Sequence, residues 1–361
     1  MNSRRNNKFF GLALVSLLLL IGAVGCVPTE AGVWVSMDEV GITDDGLVYD
    51  MNDIIFFDTE AVSGEWITVF DGEEFGLNDK KHNIHAFSFN EAVFNLDDIF
   101  PTTAPEMELF LTFEANRAWV PGIPNRVYGQ DIVKYTGPAS TGTTITTLDP
   151  VDYTYEVFFD GSDADLTTMS EKLDGISVWT PEYYDIITAS DIEIPYDCPA
   201  AVIFVSTRGN YRVSNNLGGH LVGDGSDVLA FCATNTGPDT AGYWLRVFDS
   251  SAAEIDPPGA ISGLDVWFID TEMTTADDAG NADIGTAFFF TSRKPFSGLD
   301  ESDVMLEGEP NDLFIGAGLP DDSAIDGPYF NFNDGIEVPA VNGLVDSISI
   351  FDFVFTVTSA P

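Results

Sequence analysis

Basic residues, histidine and cysteine are all scarce in this chain. Fourteen Lys and Arg face 59 Asp and Glu in 361 residues, a formal charge of −45. A field of that sign repels nucleic acid and anionic lipid head groups and favours a basic or metal-ion partner. A carboxylate surface that only keeps the protein hydrated in salt would give the same composition. The histidines after the leader, His82, His85 and His220, offer little for metal or general-base chemistry. His82 and His85 stand an odd number of residues apart, so on a strand their rings face opposite sides of the sheet. GxSxG, HExxH and P-loop motifs are missing, as is any metal-binding cysteine cluster. Helical periodicity is missing too: no segment after the leader keeps apolar residues at i, i+3, i+4 and i+7 for three turns. What is present is short alternating apolar runs bounded by Gly, Pro, Asn and Asp, which read as strands, and 45% hydrophobic residues with 28 Phe, which predict a folded chain.

The first residues carry Arg4, Arg5 and Lys8, then an apolar run from Phe9 to Val24 ending at Cys26. The run is short for a membrane span and reads as a signal peptide. Ala23-Val24-Gly25-Cys26 resembles the lipobox of bacterial lipoproteins. That resemblance implies export, lipidation of Cys26 and anchoring to the cell envelope facing the periplasm or exterior. Removing the three basic residues of the leader takes the charge from −45 to −48. Residues 1–26 are thus read as leader, 27–32 as a short tether and 33–361 as the folded part. Only Cys198 and Cys232 remain, an even pair that in an exported chain predicts a disulfide. An antiparallel pairing of the strands through Val202 and Val228 would bring the two to one end of a hairpin.

The region from Ala200 to Asp270 shows a unit that recurs. Its first strand appears as Val33–Ser36, Leu109–Phe113, Val202–Ser206 and Phe288–Ser292. The second follows Asp53, Asp131, Asp227 and Asp312. The third ends in Phe70-Asp71, Phe159-Asp160, Phe248-Asp249 and Phe330-Asn331, and the fourth appears as His85–Phe89, Ile176–Trp179, Leu264–Phe268 and Ile348–Phe351. Equivalent landmarks recur at roughly 80 to 95 residues. The expected fold is therefore all-β, four tandem four-stranded units over about 33–107, 108–199, 200–284 and 285–357. A four-stranded sheet cannot cover both faces and both edges alone, so a four-bladed β-propeller is the expected packing, with two or more β-sandwich domains as the alternative. Thr136 to Pro150 and Thr274 to Asp283 read as inserted loops. The Ser206-Thr207-Arg208-Gly209 and Phe159-Asp160-Gly161-Ser162 segments resemble those of extracellular bacterial β-repeat proteins.

The repeated aspartates Asp53, Asp131, Asp227 and Asp312, with Asp71, Asp160 and Asp249, suit turns in which a short carboxylate accepts backbone N–H groups. They would equally suit Ca²⁺, a hard cation that takes oxygen ligands; Asp160, Asp163 and Asp165 resemble the start of a calcium loop, although no downstream bidentate Glu follows. Arg208 and Arg293 follow equivalent first strands and are expected to pair with repeat aspartates. Two functions follow from these features. One is a surface-anchored lipoprotein that binds or supports an extracellular polymer or protein through its loops. The other is an extracellular polysaccharide hydrolase or lyase using Asp or Glu as acid and base. Exposed Trp or Tyr beside paired carboxylates would favour the enzyme, with Trp179, Trp244 and Trp267 as candidates.

Overall fold

The computed structural model describes residues 32–58, 65–90, 106–138, 152–181, 198–250, 261–270, 284–293, 296–299, 305–308, 314–318, 330–331 and 345–351. Cys26 with its leader, Asp312, the segment 274–283 and most of the Thr-rich insertion lie outside them; Thr136, Gly137 and Pro138 end a strand. The strands of the first half are β1 (Gly32–Met37), β2 (Gly41–Ile42), β3 (Val48–Tyr49), β4 (Ile54–Asp58), β5 (Glu65–Phe70), β6 (Ile84–Asn90), β7 (Glu106–Phe113), β8 (Ile132–Pro138), β9 (Thr154–Phe159) and β10 (Leu173–Trp179). They continue with β11 (Ala201–Thr207), β12 (Tyr211–Ser214), β13 (His220–Gly223), β14 (Val228–Asn235), β15 (Ala241–Phe248), β16 (Ile261–Asp270), β17 (Ile284–Ser292), β18 (Phe296–Leu299), β19 (Met305–Gly308), β20 (Phe314–Gly318), β21 (Phe330–Asn331) and β22 (Val345–Phe351). The chain is all-β, as its alternating patterns predict.

Four four-stranded antiparallel sheets form, in the orders β22-β1-β4-β5, β6-β7-β8-β9, β10-β11-β14-β15 and β16-β17-β20-β21. Every landmark strand is found, but each sheet is offset by one strand from the sequence repeat. The fourth strand of a unit pairs with the first strand of the next unit, and the last strand, β22, returns to pair with β1 from Gly32↔Phe351 to Met37↔Val345. The opening strands β6, β10, β16 and β22 lie against one another in cyclic order. Burial follows this arrangement. In the third sheet β10 and β11 are buried at every residue, whereas the outermost strand β15 is largely exposed or half-buried.

The sheets stack through alternate side chains. Trp34, Phe56 and Phe70 of the first sheet share a core with Phe87, Leu109, Leu111 and Tyr135 of the second. The other face of the second sheet, through Phe110 and Phe159, packs with Ile203, Phe231 and Trp244 of the third. Val202, Phe204 and Phe248 on the far face of the third then meet Leu264, Phe288 and Phe290 of the fourth. Period-2 alternation thus gives the second and third sheets two apolar faces, and a layer of aromatic and branched side chains fills each of these three gaps.

Cys198 and Cys232 form the expected disulfide, with Cα atoms 5.2 Å apart. It fastens the segment before β11 to β14, in which Cys232 pairs with Val202. The segment between β11 and β14 has structure of its own. It folds into the hairpin β12–β13, where Ser214 pairs with the exposed His220. The hairpins β2–β3 and β18–β19 occupy the same place in the first and fourth sheets, and an Ala118↔Val127 bridge does so in the second. The alternation of Tyr211-Arg212-Val213-Ser214 about a Gly-Gly turn was the sequence signal for this extra element.

Candidate functional site

Each opening strand carries a β-bulge near its start. The register slips between Ile84 and Ala86, between Leu173 and Gly175, between Ile261 and Gly263, and opposite Ser36/Met37 between Val345 and Ser347. The extra residues are His85, Asp174, Ser262 and Asp346, one from each sheet. A bulge re-aims a side chain out of the pleat. His85, Asp174 and Ser262 are completely buried as a result, in the region where the opening strands meet. The residues opposite the bulges are all hydroxyls: Ser36, Thr112, Ser206 and Thr291. Ser206 Oγ donates to Ile261 O at 2.7 Å, and Thr291 Oγ1 lies 3.1 Å from Ser262 Oγ.

Charged side chains gather at this bulge end. His85 Nε2 hydrogen-bonds Asp174 Oδ1, and Arg293 Nη2 lies 3.0 Å from His85 Nδ1 and 3.4 Å from Asp174 Oδ1. Burial alone would raise the Asp174 carboxyl, but the charge and hydrogen bond of His85 and then the Arg293 charge hold it below the ordinary carboxylate value. Its Oδ2 is buried without a hydrogen-bond partner. Farther out, Arg208 Nη1 pairs with Glu114 at 3.1 Å, Asn83 donates to the same carboxylate at 3.1 Å, and Lys172 Nζ donates to Glu114 O. Asp38, Glu114, Arg208 and Arg293 occupy equivalent places two residues past the repeated hydroxyl. Among the described residues the two arginines therefore pair with carboxylates of other sheets, Glu114 and Asp174.

The repeat aspartates fasten turns, as short carboxylates at strand ends can. Asp53 accepts from Asp50 N at 2.7 Å and from Gly72 N at 3.1 Å; Asp131 accepts from Tyr128 N at 2.8 Å and Gly161 N at 3.0 Å. Asp227 repeats the second bond with Ser250 N at 3.0 Å and also accepts from Ser250 Oγ at 2.9 Å and Tyr211 OH at 2.7 Å. Each joins the start of one strand to the residue after Phe-Asp in the next. Gly72 and Gly161 are needed there because a Cβ would lie 2.4 Å from Asn52 O or 2.3 Å from Gln130 O. Asp71 and Asp160 each accept from the backbone N–H two residues on, while Asp249 pairs with Arg246.

Asp160, Asp163 and Asp165 belong to one such turn. Asp160 Oδ1 accepts from Ser162 N and Oγ, and Asp165 Oδ2 accepts from Ser214 N at 3.1 Å. Among the described residues no group of three His, Cys, Asp or Glu side chains could hold a metal ion. Asp165 adopts φ +69°, where the matching turn of the first sheet has Gly76 at +78°. An aspartate tolerates that left-handed conformation better than most residues.

Burial pushes Asp53 and Asp131 up to about 6 despite their backbone donors. Their folded-state pKa values thus exceed the unfolded value near 3.9, so the folded state binds more protons between about pH 4 and 6. The stability they contribute is complete below about pH 4 and is lost as pH rises through about 6, up to about 3 kcal/mol each. The expected result is a higher melting temperature at pH 5 than at pH 7.5, and a shallower fall in the Asp53→Asn/Asp131→Asn protein. Equal slopes in the two proteins would assign the pH effect to general charge repulsion.

Trp179 and Trp244 are buried, with Nε1 donating to Val266 O at 3.1 Å and Ala164 O at 2.7 Å, so neither offers an exposed platform. The side chain of Trp267 lies outside the described residues. The exposed aromatics among the described residues are instead Trp119 and Tyr128, between β7 and β8. His82 is structural: it caps the turn Lys80–His82 by accepting from Asp79 N at 3.1 Å and reaches Trp119 O through Nε2. In comparisons with known proteins, no family model and no curated protein matched this chain.

Proposed function

We propose that the protein is an exported, lipid-anchored binding module: a four-bladed β-propeller held to the cell envelope through Cys26 that recognises an extracellular polymer or protein with its bulge end. Four sheets, opening strands in cyclic contact and the return of β22 to β1 support the propeller reading. The recognition reading rests on one observation. The exposed large apolar side chains among the described residues, Val40, Ile42, Val48, Trp119, Tyr128, Met169, Leu217 and Val222, all lie in segments at the bulge end. Nine of the ten described Lys and Arg lie there too, all but Lys134. Apolar exposure collected on one end of a chain this charged marks a surface built to be covered. Catalysis by paired carboxylates draws no comparable support, because the two acids with raised pKa values each fasten a turn.

The Cys26→Ser protein should appear in the soluble exported fraction, since a lipid is the anchor this reading provides. Applied to isolated cell envelopes, it should bind. Ile42→Ser, Trp119→Ala, Leu217→Ser and Val222→Ser combined should lower that binding at least tenfold, while Pro238→Ser with Ala241→Ser at the opposite end should leave it unchanged. Equal binding by all three proteins would refute recognition through this end.

A further inference from the structure

The segment between β7 and β8 differs from its surroundings. From Ala115 to Gln130 it has no acidic residue in a chain holding 59, yet it carries Arg117 and Arg126. Both guanidinium groups lie over exposed rings: Arg126 is 5.0 Å from the Trp119 centroid and Arg117 is 5.9 Å from that of Tyr128. Trp119 is 54% exposed and Tyr128 39%. Among the described residues neither arginine has a carboxylate partner, although carboxylates crowd the chain. Leaving two fork-shaped donors without a carboxylate beside two exposed aromatic rings creates a surface with defined chemistry. The rings offer flat apolar contact, and the guanidinium groups offer paired N–H donors at their margins.

The platform is also rigid. Ala118 and Val127 exchange backbone hydrogen bonds at 2.8 and 3.0 Å. Val120, Ile123 and Val127 are anchored in the core between the first two sheets, and His82 holds Trp119 O from below. A ligand would meet rings and donors already in position, which reduces the ordering cost of binding.

We infer that Trp119, Tyr128, Arg117 and Arg126 form a subsite for an anionic sugar within a polysaccharide, with its ring face on an aromatic side chain and its carboxylate or sulfate on the arginine fork. This rests on the reading of the bulge end as a recognition face and names its ligand class. A sugar that carries its charge on a flat, partly apolar ring matches both features, whereas a neutral glycan leaves the two arginines without an anion. Nucleic acid has a denser charge and would meet the repulsion of the rest of the molecule. The two guanidinium groups act within a Debye length, about 8 Å at physiological salt, where the remote acids are screened.

Binding of purified protein to polygalacturonate, chondroitin sulfate and neutral dextran, measured by affinity electrophoresis and calorimetry, tests this. At least one acidic polysaccharide should bind tenfold or more tightly than dextran. The Arg117→Gln/Arg126→Gln protein should lose at least tenfold of that affinity, and Trp119→Ala should lose a similar factor, both with unchanged melting temperature because the side chains are exposed. Galacturonic acid competing with either polymer would identify the carboxylated sugar as sufficient; competition by sulfate alone would identify the anion as the recognised group and overturn the role of the ring. Equal binding of dextran, no binding of any of the three, or full affinity in the arginine variant would overturn the subsite. Envelope binding that survives these variants but is lost in Leu217→Ser/Val222→Ser would overturn the subsite alone and leave the recognition face standing.

Discussion

A chain ending at Gly343 should fail to fold cooperatively, although it keeps most of the hydrophobic core. It loses β22, the strand that pairs with β1 and lies against both β6 and β16. Val33, Trp34 and Val35, all buried in the intact protein, would then sit on an open edge strand. An unpaired apolar edge leaves a row of backbone groups unsatisfied and invites aggregation. The expected readouts are loss of the sharp thermal transition, strong binding of a hydrophobic dye and association at micromolar concentration. In a closed ring each sheet depends on two neighbours, so opening one seam weakens all of them. Independent sandwich domains predict a different result, a truncated chain that retains a stable transition from its first half. A melting temperature within a few degrees of the intact protein would dismiss ring closure as a structural requirement.

Asp174→Ala should be the most damaging single substitution at the bulge end. It leaves His85 and Arg293 facing each other in a buried site without the carboxylate that compensates them. Removing one member of a buried ion pair typically costs about 3 to 5 kcal/mol, because the surviving charge stays desolvated. Asp174→Asn should cost less, since an amide still accepts a hydrogen bond from His85. Restoring neutrality should recover part of the loss: Asp174→Ala combined with Arg293→Met removes the stranded guanidinium, and the double variant should be more stable than Asp174→Ala alone. Additive losses in chemical denaturation would show that the two groups do not interact and would overturn the pairing.

Much of this molecule follows from local pattern. Alternation along short runs determined that the chain is all-β, and the recurrence of Asp53, Asp131, Asp227 and Asp312 with the Phe-Asp pairs and Phe330-Asn331 determined that there are four similar units. The Cys198–Cys232 bridge was legible because Cys198 stands just before one strand and Cys232 lies on the strand that pairs with it. The turn role of the aspartates was legible as well, since an Asx residue acts on backbone a few residues away or just across its own hairpin.

What joins distant repeats depended on the tertiary structure. Sequence repeats do not say which strand belongs to which sheet: a fourth strand can pair within its unit or with the next one, and both patterns read identically along the chain. Closure of β22 on β1 decides that every sheet takes its opening strand from the preceding unit. His85, Asp174 and Arg293 are 89 and 119 residues apart and come from three sheets, so no spacing rule unites them; a bulge, which inverts the pleat locally, aims the first two at the centre. The same holds for exposure. Trp119 and Trp244 both follow an alanine or tyrosine in polar surroundings, yet only Trp244 lies where two sheets close over it, and burial is a property of the facing sheet, not of the strand that carries the residue.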